Sequence, residues 1–245
     1  MNSENLQPTE HQEDATLENL PEIEQAPEQE QAPEPEQEQA PEPEQVQSAQ
    51  PKETSVLEKI LAITKEELDS LDLSQYRDTQ SKTGAPVEWF FGNAGDEHYR
   101  LLMKISTFFN GKTLYDIGTY QGSSALALAH NDTNFVLSFD IALNDIAPKL
   151  KKPNMNFMLG DVLNIDMEGV SKSPFVMLDT THDGSYEHRF YHMLKYNNFK
   201  GLLFLDDIYL NDAMRMFWDS ITEPKYDLTN IGHFSGNGIV DFSKS

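Results

Sequence analysis

Short apolar runs alternate with longer stretches of helical periodicity through the second half of the chain, and glycine or polar breaks divide them. Leu114, Tyr115 and Ile117 form the first run, followed by 134–141 (NFVLSFDI), 156–159 (NFML), 175–178 (FVML) and 202–205 (LLFL). Runs this short and this apolar read as strands covered on both faces. Between them lie an Ala/Leu-rich helix after Gly122 and amphipathic stretches at 185–196 and 211–221. Strands spaced by helices predict a parallel sheet with helices on both sides. The last two strands, 226–231 and 238–242, have no helix between them, so they are expected to pair as an antiparallel hairpin.

Upstream, 96–109 (DEHYRLLMKISTFF) predicts a helix with Tyr99, Leu102, Met103 and Ile105 facing inward and a stop at Asn110-Gly111. His98 on that helix reads as an ordinary surface histidine, the alternative being that it approaches a ligand pocket. Leu57, Ile60 and Leu61 mark an earlier helix, and Thr64 with Glu67 has the spacing of a capping box opening another. The stretch 78–95 reads as a loop whose Trp89, Phe90 and Phe91 pack on the core, the sharper alternative being a lid over a ligand. Residues 1–53 lack apolar periodicity and repeat QAPEQE-type units, a composition that cannot offset the entropy of folding. The pattern thus divides into an acidic tail (1–53), a helical cap and loop (54–95) and an α/β domain (96–245).

Charge sharpens this division. The first 50 residues hold 14 of the 41 acids and none of the 18 bases, so the rest of the chain carries −9 of the total −23. A folded part of that sign does not favour nucleic acid, whose affinity comes largely from Lys and Arg. The tail reads as a solvated spacer, with docking to a basic protein as its alternative. The absence of cysteine rules out disulfides, cysteine-ligated zinc and a thiol nucleophile, and it fits a reducing compartment. No apolar run approaches the roughly 20 residues of a membrane span. A soluble, cytoplasmic protein is the expectation.

Chemistry concentrates at 113–130 (TLYDIGTYQGSSALALAH), a strand, a glycine loop and a helix. Gly118 permits a tight turn, and Gly122 permits close approach of a ligand to the backbone where a helix begins. A dinucleotide site wants G-x-G-x-x-G, whereas this loop reads D-x-G-x-x-x-G-x-S with Asp116 on the strand end. A carboxylate there would repel a pyrophosphate and suit an ammonium group. Asp140 ends the second strand about 20 residues beyond the loop, where such folds bind ribose hydroxyls. Asp161 follows the third strand, Asp179 the fourth, and Asp206-Asp207 the fifth. In open α/β sheets ligands bind at these strand ends. Asp179, Asp206 and Asp207, from neighbouring strands, would repel one another without a proton or a hard cation such as Mg²⁺. His182, three residues past Asp179, is suited to proton transfer, whereas His188 and His192 fall on the polar side of their helix and read as solvated.

The loop Gly118 to Ser124 resembles motif I of class I S-adenosylmethionine-dependent methyltransferases, in the G-x-Y-x-G-x-S form of the catechol-type O-methyltransferases. The run 178–187 (LDTTHDGSYE) resembles the D-x-x-H-x-Y-E stretch of cephalosporin-hydroxylase-like methyltransferases, with Asp183-Gly184 as an apparent insertion. The resemblance implies a Rossmann-like fold with strand order 3-2-1-4-5-7-6. It implies S-adenosylmethionine held by Asp116, Gly118, Tyr120, Gly122, Ser124, Asp140 and Asp161, the last near the adenine. It also implies a divalent metal on Asp179, Asp206 and Asp207, with His182 as the base where catechol-type enzymes carry lysine. Asp207 stands where that type has Asn. The implied activity is O-methylation of a small-molecule or sugar hydroxyl; the alternatives are an inactive methyltransferase-like interaction protein or an NAD- or nucleotide-binding enzyme.

Overall fold

The computed structural model describes residues 54–76, 90–93, 95–143 and 145–244. The acidic tail and Trp89 lie outside the described residues. Seven strands form one sheet: β1 (Thr113–Ile117), β2 (Phe135–Asp140), β3 (Met155–Leu159), β4 (Phe175–Leu178), β5 (Leu202–Leu205), β6 (Lys225–Asp227) and β7 (Gly238–Asp241). Their order is β3-β2-β1-β4-β5-β7-β6. The first five are parallel, and β7 enters antiparallel between β5 and β6. The terminal hairpin therefore forms, although β6 is three residues long and covers only the start of the expected strand 226–231.

Both faces of the sheet are covered, which is why β4 and β5 are buried along their whole length. On one face Leu114, Val136, Met177 and Phe204 pack with helices α3 (Arg100–Ser106) and α4 (Ser123–Leu128). On the other, Tyr115, Val176, Leu178 and Leu203 meet α7 (Ser185–Tyr196) and α8 (Asp212–Ser220) through Phe190, Leu194, Phe217 and Trp218. Helices α1 (Val56–Leu61) and α2 (Lys65–Asp69) add Ile60 and Leu68 to the first layer. Both open on capping boxes, Ser55 with Glu58 and Thr64 with Glu67, which satisfy amide groups that a helix start leaves unpaired.

The expected helix over 96–109 is shorter than its apolar pattern. A π-helical turn at Gly95–Tyr99 leads into α3, which ends at Ser106. Phe90 is fully buried and stacks on Tyr76 at 4.8 Å, so this part of the aromatic stretch packs as core. Two helices unannounced by periodicity, α5 (Val162–Ile165) and α6 (Met167–Lys172), join β3 to β4. Their signal is in the caps: Asp161 accepts from the Leu163 amide and Asp166 from the Gly169 amide. Among the described residues no helix is long and apolar enough to cross a membrane.

Candidate active site

The carboxyl ends of β1 to β4 border a cavity of about 410 Å³, within the range of sites for small molecules. Its apolar walls include Ile117, Phe139, Ile141 and Val162, and its polar lining includes Asp140, Asp161, Asp179, Thr180 and His182. Gly118 and Tyr120 contribute the turn after β1. Tyr120 adopts a left-handed φ of 43°, which non-glycine residues rarely take, and its amide donates to Asp140 Oδ2 at 2.9 Å. The Ala142 amide donates to the other oxygen at 3.0 Å. Asp140 thus aligns two loops while remaining on the cavity wall.

Asp161 is likewise held from several sides. Tyr186 donates its phenol to Oδ1 at 2.9 Å, and Asn164 donates to Oδ2 at 2.9 Å. Tyr186 itself lines the cavity, so helix α7 supplies a wall beside Asp161.

Asp116, Gly122 and Ser124 are not on the cavity wall. In β1 the side chains alternate, so Asp116 points with Leu114 toward α3 and α4, and it is fully buried. It pairs in register with Ser138, whose hydroxyl donates to Asp116 Oδ2 at 2.5 Å, and Thr119 Oγ1 lies 2.6 Å from the same hydroxyl. Burial raises the Asp116 pKa to about 7, against the opposing hydroxyls of Ser138 and Ser124. Gly122 holds a left-handed φ of 86°, and a Cβ there would come 2.9 Å from Leu150 Cδ1 and 2.9 Å from Phe157 Cζ, so backbone conformation and packing both favour a glycine.

Past β4, His182 joins the cavity to a second polar group. Its Nε2 lies 2.9 Å from Asp179 Oδ1 and 3.4 Å from Asp207 Oδ2. Burial disfavours its charge, but Asp179, Asp207 and Asp206 outweigh this and raise its pKa to about 9. The backbone at His182 is also left-handed, with φ 56°. Two clamps hold it there: Glu187 Oε1 accepts from the His182 amide at 3.0 Å, and Asn211 Nδ2 donates to the His182 carbonyl at 2.8 Å. Glu187, itself buried, also accepts from Thr180 Oγ1 at 2.6 Å. The apparent insertion Asp183-Gly184 is the entry to α7, with Gly184 at φ 78° and Asp183 accepting from the Ser185 amide.

The paired acids after β5 differ sharply. Asp206 is buried, and that burial, with Asp179 and Asp207 nearby, pushes its pKa well up. Asn237 Nδ2 donates to its Oδ1 at 2.6 Å. At Asp207 burial acts in the same direction, but hydrogen bonds from His233 and Ser235 and the charge of His182 prevail and hold its pKa down. His233 Nδ1 is 3.1 Å from Asp207 Oδ1. His98 corrects the surface assignment: it is 6% exposed, with Nδ1 3.5 Å from Asp206 Oδ2. His98 lies in the π-helical turn at Gly95–Tyr99, whose register differs from that of an α-helix. His192 is exposed as expected, whereas His188 is half-buried, edge-on to Phe217 at 5.0 Å.

The six strand-end acids therefore occupy three settings. Asp140, Asp161 and Asp179 border the cavity, Asp206 and Asp207 meet His233 and His98, and Asp116 lies sealed beneath the glycine loop. The histidines of the second setting come from distant parts of the chain. His233 precedes β7 and His98 precedes α3, so neither carries a motif that sequence spacing reveals.

No protein-family model and no curated protein matches the sequence. Solved structures match its fold. A "putative caffeoyl-CoA O-methyltransferase" from Staphylococcus aureus aligns with TM-score 0.50 at 15% identity, over 72% of this chain and 95% of that one. A cofactor-bound protein from MTB aligns with TM-score 0.51 at 14% identity, over 74% of this chain and 96% of that one. Together with the strand order, these likenesses establish the Rossmann-like class I methyltransferase fold that the glycine loop resembles.

Proposed function

We propose that this protein is an S-adenosylmethionine-dependent O-methyltransferase acting, with a divalent metal, on a small-molecule or sugar hydroxyl. The observation that carries the reading is that His182 and Asp179 belong at once to the cavity wall and to the acidic group at the ends of β4 and β5. A nucleoside cofactor in the cavity would therefore present its reactive end beside groups suited to an acceptor hydroxyl. Both solved structures share the fold, and the first is described as an O-methyltransferase.

In this reading Asp140 receives the ribose hydroxyls, and the adenine lies between Ile141 and Val162 near Asp161 and Tyr186. Tyr120 and Gly118 border the amino-acid end. Asp116 and Ser124 act from behind the loop: Asp116 braces it through Ser138 and Thr119 rather than touching the ligand. The carboxylates of Asp206 and Asp207, with Asp179 at hand, are oxygen donors that fit a divalent cation, which would acidify and orient the acceptor hydroxyl. His182 takes the hydroxyl proton. The carboxylates around it raise its pKa, and their engagement by a cation would return the imidazole toward a neutral base. S-adenosylmethionine held in the cavity would supply an electrophilic methyl group, and Asp179 and His182 would hold the acceptor oxygen in line with it, positioning that would supply much of the rate gain.

Calorimetric titration of the full chain with S-adenosylhomocysteine tests the cofactor assignment, and binding is expected in the micromolar range. Absence of binding at millimolar ligand would remove it. Methyl transfer to a panel of hydroxyl acceptors, with and without EDTA, then tests the reaction and its metal requirement separately.

A further inference from the structure

The acids after β5 are not surrounded by oxygen alone. Asp206, Asp207 and His233 each offer one donor atom, and the three atoms lie within 4.8 Å of one another. His233 arrives on the segment between β6 and β7, and Asp207 on the turn after β5. The antiparallel insertion of β7 beside β5 brings them together. The separation of 3.1 Å between His233 Nδ1 and Asp207 Oδ1 matches adjacent donors on one ion. Metal bonds of about 2.1 Å at right angles put neighbouring donors about 3 Å apart.

The surroundings orient these donors as ligand side chains are commonly oriented. Asn237 donates to Asp206 Oδ1, the Ser235 hydroxyl bridges Asp207 Oδ1 and His233 Nδ1, and His98 Nδ1 lies 3.5 Å from Asp206 Oδ2. Asp207 holds a left-handed φ of 57°, a conformation costly for a non-glycine residue. That turn presents its carboxylate to His233 and His182 together.

We propose that His233 joins Asp206 and Asp207 as a metal ligand, and that its nitrogen makes the centre selective for first-row transition ions such as Mn²⁺, Co²⁺ or Zn²⁺ over Mg²⁺. The inference rests on the metal-assisted reading above and names the ion class that reading leaves open. Imidazole nitrogen suits transition ions, whereas Mg²⁺ prefers oxygen ligands and retains much of its water. An ion pair between His233 and Asp207 is the competing explanation of the same contact.

The test uses the full chain stripped of metal. Titration with Co²⁺, read by its visible absorption, and with Zn²⁺ and Mg²⁺ by calorimetry, should show the transition ions bound about tenfold or more tightly over Mg²⁺. His233→Ala should lower Zn²⁺ affinity by about tenfold or more and largely remove that preference. Equal or tighter Mg²⁺ binding, no binding of any of the ions, or unchanged Zn²⁺ affinity in a folded His233→Ala chain would each overturn the proposal. Should that variant fail to fold, Cu²⁺ bound to the wild-type chain still reports nitrogen ligation by electron paramagnetic resonance. Nitrogen coupling that persists in His182→Ala supports the proposal, and its absence from the wild-type chain overturns it. S-adenosylhomocysteine titration of the same metal-free wild-type chain separates the two readings. Cofactor binding without metal preference sinks this inference alone, and selective metal binding without cofactor binding sinks the methyltransferase reading alone.

Discussion

Gly118 and Asp179 meet backbone to backbone: a Cβ added to Gly118 would fall 1.5 Å from the Asp179 carbonyl oxygen. Gly118 also holds φ 105°, a region that side chains rarely enter. The Asp179 amide donates to the Ile117 carbonyl at 2.9 Å, so the glycine loop and the end of β4 are sewn together at this point.

Gly118→Ala is accordingly expected to destabilise the chain by about 2–5 kcal/mol, the combined scale of overpacking and a forced left-handed backbone. Urea denaturation measures it. A loss within experimental error would show that the seam between β1 and β4 relaxes freely.

Asp116 makes stability depend on pH. Its carboxyl titrates near 3.8 in an unstructured chain and at about 7 when folded, chiefly because burial disfavours its charge. Between these values the folded chain binds more protons than the unfolded one. Its contribution to stability is thus complete below about 3.8, falls as pH rises, and is lost above about 7. Its slope cannot exceed about 1.4 kcal/mol per pH unit. Asp116→Asn, which cannot ionise, should gain stability relative to the wild type at pH 8 compared with pH 5. An equal difference at both values, from denaturation curves, would contradict the assignment.

Asn211 serves two elements with one side chain. Its Oδ1 accepts from the Met214 amide at 3.0 Å, capping α8, while its Nδ2 holds the His182 carbonyl. Asn211→Ala should cost about 1 kcal/mol through the lost cap. Asn211→Asp keeps the cap and loses the donor to His182, so it should retain most of the stability while lowering kcat. Paired denaturation and turnover measurements on the two variants check this, and equal turnover in Asn211→Asp and wild type would remove the clamp from the mechanism.

Asp140 carries both a proposed ligand contact and the Tyr120 turn. Asp140→Ala should weaken S-adenosylhomocysteine binding by about tenfold or more, the scale of one lost charge-assisted hydrogen bond. Calorimetry reads it directly. Unchanged affinity would take Asp140 out of the cofactor site.

By itself the sequence determined the strands, the longer helices and their order, though not α5, α6 or the π-helical turn. Alternation of apolar runs with amphipathic helices is a local property, and the missing helix before β7 already demanded an antiparallel return. Acids at 116, 140, 161, 179 and 206–207 were legible as strand-end residues for the same reason. Tertiary structure alone decided which way each acid faces and what it meets. Strand alternation and pairing with Ser138 turned Asp116 into the protein interior while Asp140 stayed on the cavity. The insertion of β7 beside β5 carried His233 to Asp207, and the π-helical turn brought His98 to Asp206. Periodicity reaches only a few residues along the chain, whereas these meetings depend on contacts between residues more than a hundred positions apart in the widest case.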